Sequence, residues 1–317
     1  MTRLSVVLIL FSMHFFSGKA FAQDPEFSRF YANPIYLNPA LAGITLSPRA
    51  IVNYRNQWPG IGKAFVTYHA SYDMYLSPLH GGVGLDVFYD QAGGGSMNTF
   101  AISAMYAYKF NITSRIKASG AIKGGYYQRN VSTANLTFNN QSNWDPVLNE
   151  DHMAGVPDFG AGIFLSYDDL FYGGLAVDHL TQPKIGFNTD STTHLNMKYT
   201  VHIGSLINLR GRGNVDDDRE FSISPNIMYQ QQFNFHQLNL GLYLTIDPFV
   251  GGLWLRLNFE NADALIPMLG FHYKNLRIGF SYDYTIGTLE GASGGAYEVS
   301  ASWQFSLYGK KDLSSGQ

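Results

Sequence analysis

The sequence predicts an all-β fold: a closed antiparallel transmembrane β-barrel of about 14 strands, within a range of 12 to 16, behind an ordered N-terminal plug-like segment. Three observations carry this. Apolar and polar residues alternate with period two along most of the chain. The connections between alternating segments are alternately short and long for most of the chain, with a long inner one at Gly211–Arg219 and short outer ones around Asn234 and Asn261 as exceptions. After the leader no apolar run reaches the roughly 20 residues of a membrane-spanning helix.

The leader comes first. Arg3 supplies a positive start, Leu4 to Phe16 is mainly apolar, and Ala20-Phe21-Ala22 offers the small-x-small pattern of a signal peptidase site. Residues 1–22 therefore read as a cleaved export signal, which sends the protein to the cell outer membrane if the barrel prediction holds. The exported chain has no cysteine, so no disulfide framework supports it.

Residues 23–48 contain "DPEFSRFYANPIYLNPALAGI" (Asp24–Ile44). Pro34 and Pro39 argue against a regular helix, and proline also breaks a sheet ladder. The run is too aromatic for a disordered linker. It is expected to be ordered but non-repetitive: either a plug in the lumen or a docking element for a periplasmic partner. As a plug it starts on the periplasmic side, with Asn33 and Asn38 bonding irregular backbone and Phe27, Phe30, Tyr31 and Tyr36 packing on the wall.

The barrel is expected over 49–307, ahead of a tail at 308–317. In "LRIGFSYDYT" (Leu276–Thr285), Leu276, Ile278, Phe280, Tyr282 and Tyr284 share one face, opposite Arg277, Gly279, Ser281, Asp283 and Thr285. Comparable segments are placed at Arg49–Asn56, Ala64–Tyr75, Gly82–Gln91, Asn98–Phe110, Arg115–Arg129, Asp158–Tyr167, Leu170–Asp178 and Lys198–Arg210. Further ones are Glu220–Gln231, His236–Ile246, Phe249–Phe259, Ala264–Tyr273 and Gly295–Phe305. If the first strand runs outward, "SPLH", "NITS", "DD", "DP" and "KN" are periplasmic turns, while Asn130–Pro157 and His179–Met197 are outer loops. Tyr68, Tyr72, Tyr75, Tyr273 and Trp303 suit interfacial girdles. Asp86, Lys117, Lys123, Arg256 and Asp283 fall on the inner face, where they fill the interior with salt bridges or line a conduit. Trp58-Pro59-Gly60 forms the first outer turn, rigid or in contact with a client.

Chemistry finds little support. No Gly-x-Ser-x-Gly elbow and no His-Glu-x-x-His occur, and His69, His152, His179, His194, His202, His236 and His272 share no spacing. Asp216–Asp218 lack the spacing of a calcium loop. The glycine runs at Gly93–Gly95 and Gly294–Gly295 open no helix, so they cradle no phosphate. The net charge of −3 gives no footprint for nucleic acid. No catalytic, cofactor-binding or metal-ligating residue is assigned.

The opening segment, with "YRNQWPGIGKAFVTYHASYD" (Tyr54–Asp73), "GGVGLDVFYDQAGG" (Gly81–Gly94) and "PDFGAGIFLSYDDLFYGGLAVDHLTQP" (Pro157–Pro183), resembles the PorP/SprF family. These are outer-membrane proteins of the type IX secretion system of Bacteroidetes. The resemblance implies a non-enzymatic barrel. It would bind exported proteins that carry a C-terminal sorting domain, adhesins among them, and/or periplasmic machinery, for secretion, surface attachment or gliding. It points to Asp24, Pro25, Phe27, Tyr31, Asn33, Pro34, Tyr36, Asn38, Pro39, Trp58 and Pro59 as partner-binding or plug residues. Expected partners are type IX components, a secreted client and outer-membrane lipid. The alternatives are a diffusion or uptake channel for small or hydrophobic solutes and a structural anchor for periplasmic partners.

Overall fold

The structure, a computed structural model, describes residues 24–61, 65–132, 152–186, 193–209, 221–258, 261–286 and 294–305. The export signal, the aspartate run at 216–218 and the tail at 308–317 lie outside these residues.

The described chain is all β apart from short helical turns. The strands are β1 (Arg49–Gln57), β2 (Phe65–Leu76), β3 (Gly81–Ala92), β4 (Met97–Asn111), β5 (Ile116–Val131), β6 (His152–Tyr167), β7 (Phe171–Asp178) and β8 (Lys198–Ser205). They continue with β9 (Ile207–Asn208), β10 (Phe221–Gln232), β11 (Phe235–Ile246), β12 (Phe249–Asn258), β13 (Asn261–Tyr273), β14 (Leu276–Thr285) and β15 (Ala296–Gln304). Neighbours in sequence pair antiparallel, and β15 pairs β1 from Arg49↔Gln304 to Gln57↔Ala296. That last ladder closes the cylinder and leaves no edge, the arrangement hydrocarbon demands of backbone donors and acceptors. The two-residue β9 continues β8 past Leu206, so the barrel has 14 strands and one extra fragment.

Three of the irregularities fall at prolines, while the β12–β13 ladder also shifts register between Arg256 and Leu257. Pro225 of β10 pairs Leu242 of β11 but has no partner on its other side, where the ladder jumps from Ile223↔Ile207 to Asn226↔Gly204. A residue without an amide hydrogen cannot serve both neighbours, and β8 breaks from β9 opposite it. Pro267 of β13 pairs Leu253, and the ladder to β14 skips from Leu265↔Tyr284 to Met268↔Ser281. Pro157, expected to close a loop, lies inside β6, which begins at His152. There β6 pairs only β5, because its ladder with β7 starts at Ala161↔Val177.

Burial alternates as the pleat requires. Leu240, Leu242, Leu244 and Ile246 are exposed on the outer face of β11, while Gln237 and Asn239 are buried inside. Asp86, Arg256 and Asp283 are buried on the inner face as expected, and Lys123 points inward to Asp178. Tyr75 departs from the girdle expectation. It faces the lumen with Lys109 over its ring, because its odd number gives it the parity of the buried Ser71 and Asp73.

Candidate functional site

The candidate site is the barrel interior, built around residues 24–48. Here the expectation of a run with no helix is corrected. Phe30–Ala32 and Pro39–Leu41 are 3₁₀ turns, and Pro34–Leu37 is a one-turn helix, α1. Pro34 and Pro39 each open a turn, where a missing amide hydrogen costs nothing. Their spacing breaks the segment into single turns, compact enough to stack inside the cylinder.

The direction of the segment is the second correction. Asp24 lies at the long-loop end: its amide donates to Gln232 at the end of β10, and its Oδ2 is 2.7 Å from His179 just after β7. Gly43 lies at the short-turn end, where its amide donates to Asp73 of β2 at 2.8 Å. Short turns mark the periplasmic end. The segment therefore descends from the outer half of the lumen to the periplasmic rim, where it turns into β1. A periplasmic start would have required a second pass through the same space.

Besides the Gly43–Asp73 bond, polar clusters at three residues hold it. At the outer end, His179 sits between two carboxylates, with Nε2 2.7 Å from Asp24 Oδ2 and Nδ1 2.9 Å from Asp158 Oδ1. Burial alone would push the His179 imidazole down, but the two carboxylates outweigh it and raise it to about 9. Asp24 is likewise buried, yet His179 and Lys198 hold its carboxyl well below the usual range.

The second tie is Ser28. Its hydroxyl donates to Asp283 at 2.6 Å and accepts from Arg55 at 2.5 Å and Arg256 at 3.1 Å. A hydroxyl has one donor and two acceptor positions, and all are used. The Ser28 amide donates to Glu298 at 2.6 Å. One small residue thus joins β1, β12, β14 and β15. Beside it, the guanidinium of Arg29 donates to Ser300.

Asn38 makes the third tie. Its Nδ2 donates to the carbonyls of Ile163 at 3.0 Å and Leu175 at 3.3 Å, while its Oδ1 accepts from Ala40 N at 2.9 Å. Gly162 and Gly174 make room for this amide; a Cβ on Gly174 would fall 2.6 Å from Asn38 Nδ2 and 2.5 Å from His202 Nε2.

Between the ties the segment is apolar core. Phe30, Leu37 and Leu41 pack with Trp254, Met228, Ile266 and Met268, and Ile35, Ala40 and Ala42 pack with Met105, Ala107 and Ala121. Phe27 meets the Tyr36 and His69 rings at 5.0 and 5.3 Å. Tyr31 lies 6.0 Å from the Tyr172 ring, and the Tyr36 hydroxyl donates to the Pro25 carbonyl. Each fully buried large apolar side chain contributes about 1.5–3 kcal/mol, so these groups hold the segment as an interior, not as a tether. A segment that touches opposite walls of a closed sheet lies within it.

Asn33 differs from expectation. Its side-chain amide is buried with no hydrogen-bond partner among the described residues, while its main-chain carbonyl accepts from Leu37. Trp58 and Pro59 lie apart from this interior, in the outer β1–β2 turn. Trp58 has a positive φ, its amide donates to Gly295, and its ring meets Phe65 at 5.4 Å. The sequence reading did not single out Ser28, Arg55, Glu298, His179 or the seat glycines. Inner-face parity was the available signal for Arg55 and Glu298; their convergence on residue 28 had none.

The two ends differ. Outside, Ile185 and Leu195 of the β7–β8 connection are buried against Phe88, Ala101 and Tyr127. At the periplasmic end a cavity of about 530 Å³ opens beside the exit of the segment.

Comparison with solved structures gives outer-membrane barrels of low likeness. The toluene transporter TbuX of Ralstonia pickettii has a TM-score of 0.49 at 10% identity, over 86% of this chain and 93% of that one. Outer membrane protein Omp33 of Acinetobacter baumannii has a TM-score of 0.47 at 9% identity, over 82% and 99%. No curated relative matches. The family described as type IX secretion system membrane protein PorP/SprF matches over residues 19–303. With nearly the whole chain matched and a sealed 14-strand barrel to accommodate it, this protein belongs to the PorP/SprF family and is an outer-membrane β-barrel.

Proposed function

We propose that the barrel works by binding proteins: type IX components in the periplasm, and exported clients with a C-terminal sorting domain, for secretion or surface attachment. One observation carries the choice of binding over diffusion. Residues 24–43 run inside the barrel from its outer half to the periplasmic rim and hydrogen-bond to β2, β6, β10 and β14. In this reading Asp24, Pro25, Phe27, Tyr31, Asn33, Pro34, Tyr36, Asn38 and Pro39 form the plug. Trp58 and Pro59 serve as a rigid outer turn. The chain reaches the outer membrane behind a signal cleaved near Ala22.

The test is a mild-detergent pull-down from native envelope with the barrel as bait. Co-recovery of type IX components or of a protein with a sorting domain is expected. A barrel recovered alone, together with solute flux through the purified protein in liposomes, would overturn the reading in favour of a channel.

A further inference from the structure

The two ends of the lumen differ, with Ile185 and Leu195 buried against the wall at the outer end and a cavity at the other. At the periplasmic rim its cavity of about 530 Å³ lies between the exit of the plug and the inner walls of β4 to β7. That volume falls within the roughly 300–1,000 Å³ of ordinary binding cavities. The ladder fixes its chemistry. Lys109 of β4 faces Ser119 of β5, and Lys117 of β5 faces Asn111 of β4 on one side and Ser166 of β6 on the other. Phe164 and Tyr172 supply aromatic surface, and Ile44 and Leu46 border it.

Two features mark this mouth as an interaction surface. Ile44 and Leu46 are 45% and 80% exposed, and both line this cavity. The exposed aliphatics of the strands lie against lipid; these two lie in an aqueous mouth, where uncovered apolar surface marks an interaction site. Among the described residues Lys117 pairs with Asp169 alone, at 3.0 Å, with both side chains more than half exposed. Such a pair is worth about 0–1 kcal/mol, so a ligand carboxylate can replace it at little cost. Lys109 gives one of its three donors to the Gly43 carbonyl and keeps the others.

We infer that this periplasmic mouth binds an extended peptide segment of a partner protein with alternating apolar and acidic side chains. The apolar groups cover Ile44, Leu46 and the Phe164 and Tyr172 rings. The carboxylates meet Lys117 and Lys109. A peptide fits better than a small amphiphile because it can bring separate carboxylates to lysines on two strands while its apolar side chains cover Leu46, which is 80% exposed. This inference rests on the reading that the barrel works by binding protein, and it adds the place and the ligand class.

The test uses the full-length barrel in detergent and the fluorescein-labelled peptide Phe-Glu-Leu-Glu-Phe, followed by anisotropy, with Phe-Lys-Leu-Lys-Phe as the charge-reversed control. Saturable binding of the acidic peptide is expected, about tenfold or more tighter than the control, as reversed charge against two lysines requires. Lys117→Glu should weaken it about tenfold. Ser166→Trp, which fills the cavity from an inward position on β6, should abolish it. Both variants must keep the heat-modifiable mobility of the folded barrel; if Ser166→Trp does not, Asn111→Trp replaces it. Absence of acidic-peptide binding, binding that survives a filled cavity, or equal binding of both peptides with full competition by lauric acid would each overturn the inference. The pull-down separates the two failures. Partners recovered undiminished with Ser166→Trp would sink this site and leave the protein-binding reading intact. Peptide binding without any recovered partner would do the reverse.

Discussion

At the scale of single residues, the interior is specified by a few small or polar groups placed where nothing else fits. Gly162 carries the seat of Asn38: an added Cβ would lie on top of Asn38 Oδ1. Gly162→Ala should therefore cost about 1–3 kcal/mol, the usual range for overpacking a filled interior. In the double variant with Asn38→Ala the two costs should not add, with a coupling of about 0.5–3 kcal/mol, read from urea titrations of the barrel folded into lipid vesicles. Strict additivity would mean that Asn38 does not sit there. The His179 tie gives a pH dependence. Its imidazole is raised to about 9 in the fold, against about 6.5 in the unfolded chain. The tie thus contributes fully below about pH 6.5 and is lost as pH climbs through about 9. The heat-modifiability midpoint should fall between pH 7 and pH 10, and His179→Gln should flatten that fall. Much of this scale was legible as parity: Asp86, Lys123, Arg256 and Asp283 alternate with apolar neighbours and face inward. Tyr75 was misread because tyrosine near a strand end suits a girdle by type, whereas its position in the pleat puts it inside.

At the scale of elements, strands and plug follow different rules. Strand limits read from alternation fall within a residue or two of the ladders for most of the barrel, since a pleat fixes side-chain direction locally. The exceptions are at prolines. A proline interrupts one ladder and leaves the other, so Pro157 sits inside β6, and Pro225 separates β8 from β9. The N-terminal segment has no period to read. Its prolines announced order without announcing helical turns, because proline at a first helical position and proline in a loop look alike in sequence. If the plug seals the lumen, the full-length barrel should show almost no conductance in planar bilayers. Removal of residues 24–48 should open steps of porin size. Unchanged conductance after the deletion would mean that the outer loops alone close the mouth.

At the scale of the whole molecule, the barrel is an inverted protein, with lipid-facing leucines outside and a charged, close-packed interior. Leu253, midway along β12 and 51% exposed, faces outward between Leu242 and Pro267. Leu253→Arg should cost about 2–4 kcal/mol in vesicles, the range for arginine on the lipid face near the midplane. A cost near zero would mean that this face is not in hydrocarbon. The same inversion separates the membrane-facing wall from the protein-binding role proposed for the periplasmic mouth.

The sequence by itself determined the class, the number of strands to within two and, for most positions, which side chains meet lipid and which meet the interior, because each of these depends on a residue and its near neighbours. Tertiary structure alone decided the course of the N-terminal segment and the partners of its polar groups. Ser28 and Asp283 stand 255 residues apart and meet only because β15 closes on β1. A contact created by closure leaves no trace in any local pattern.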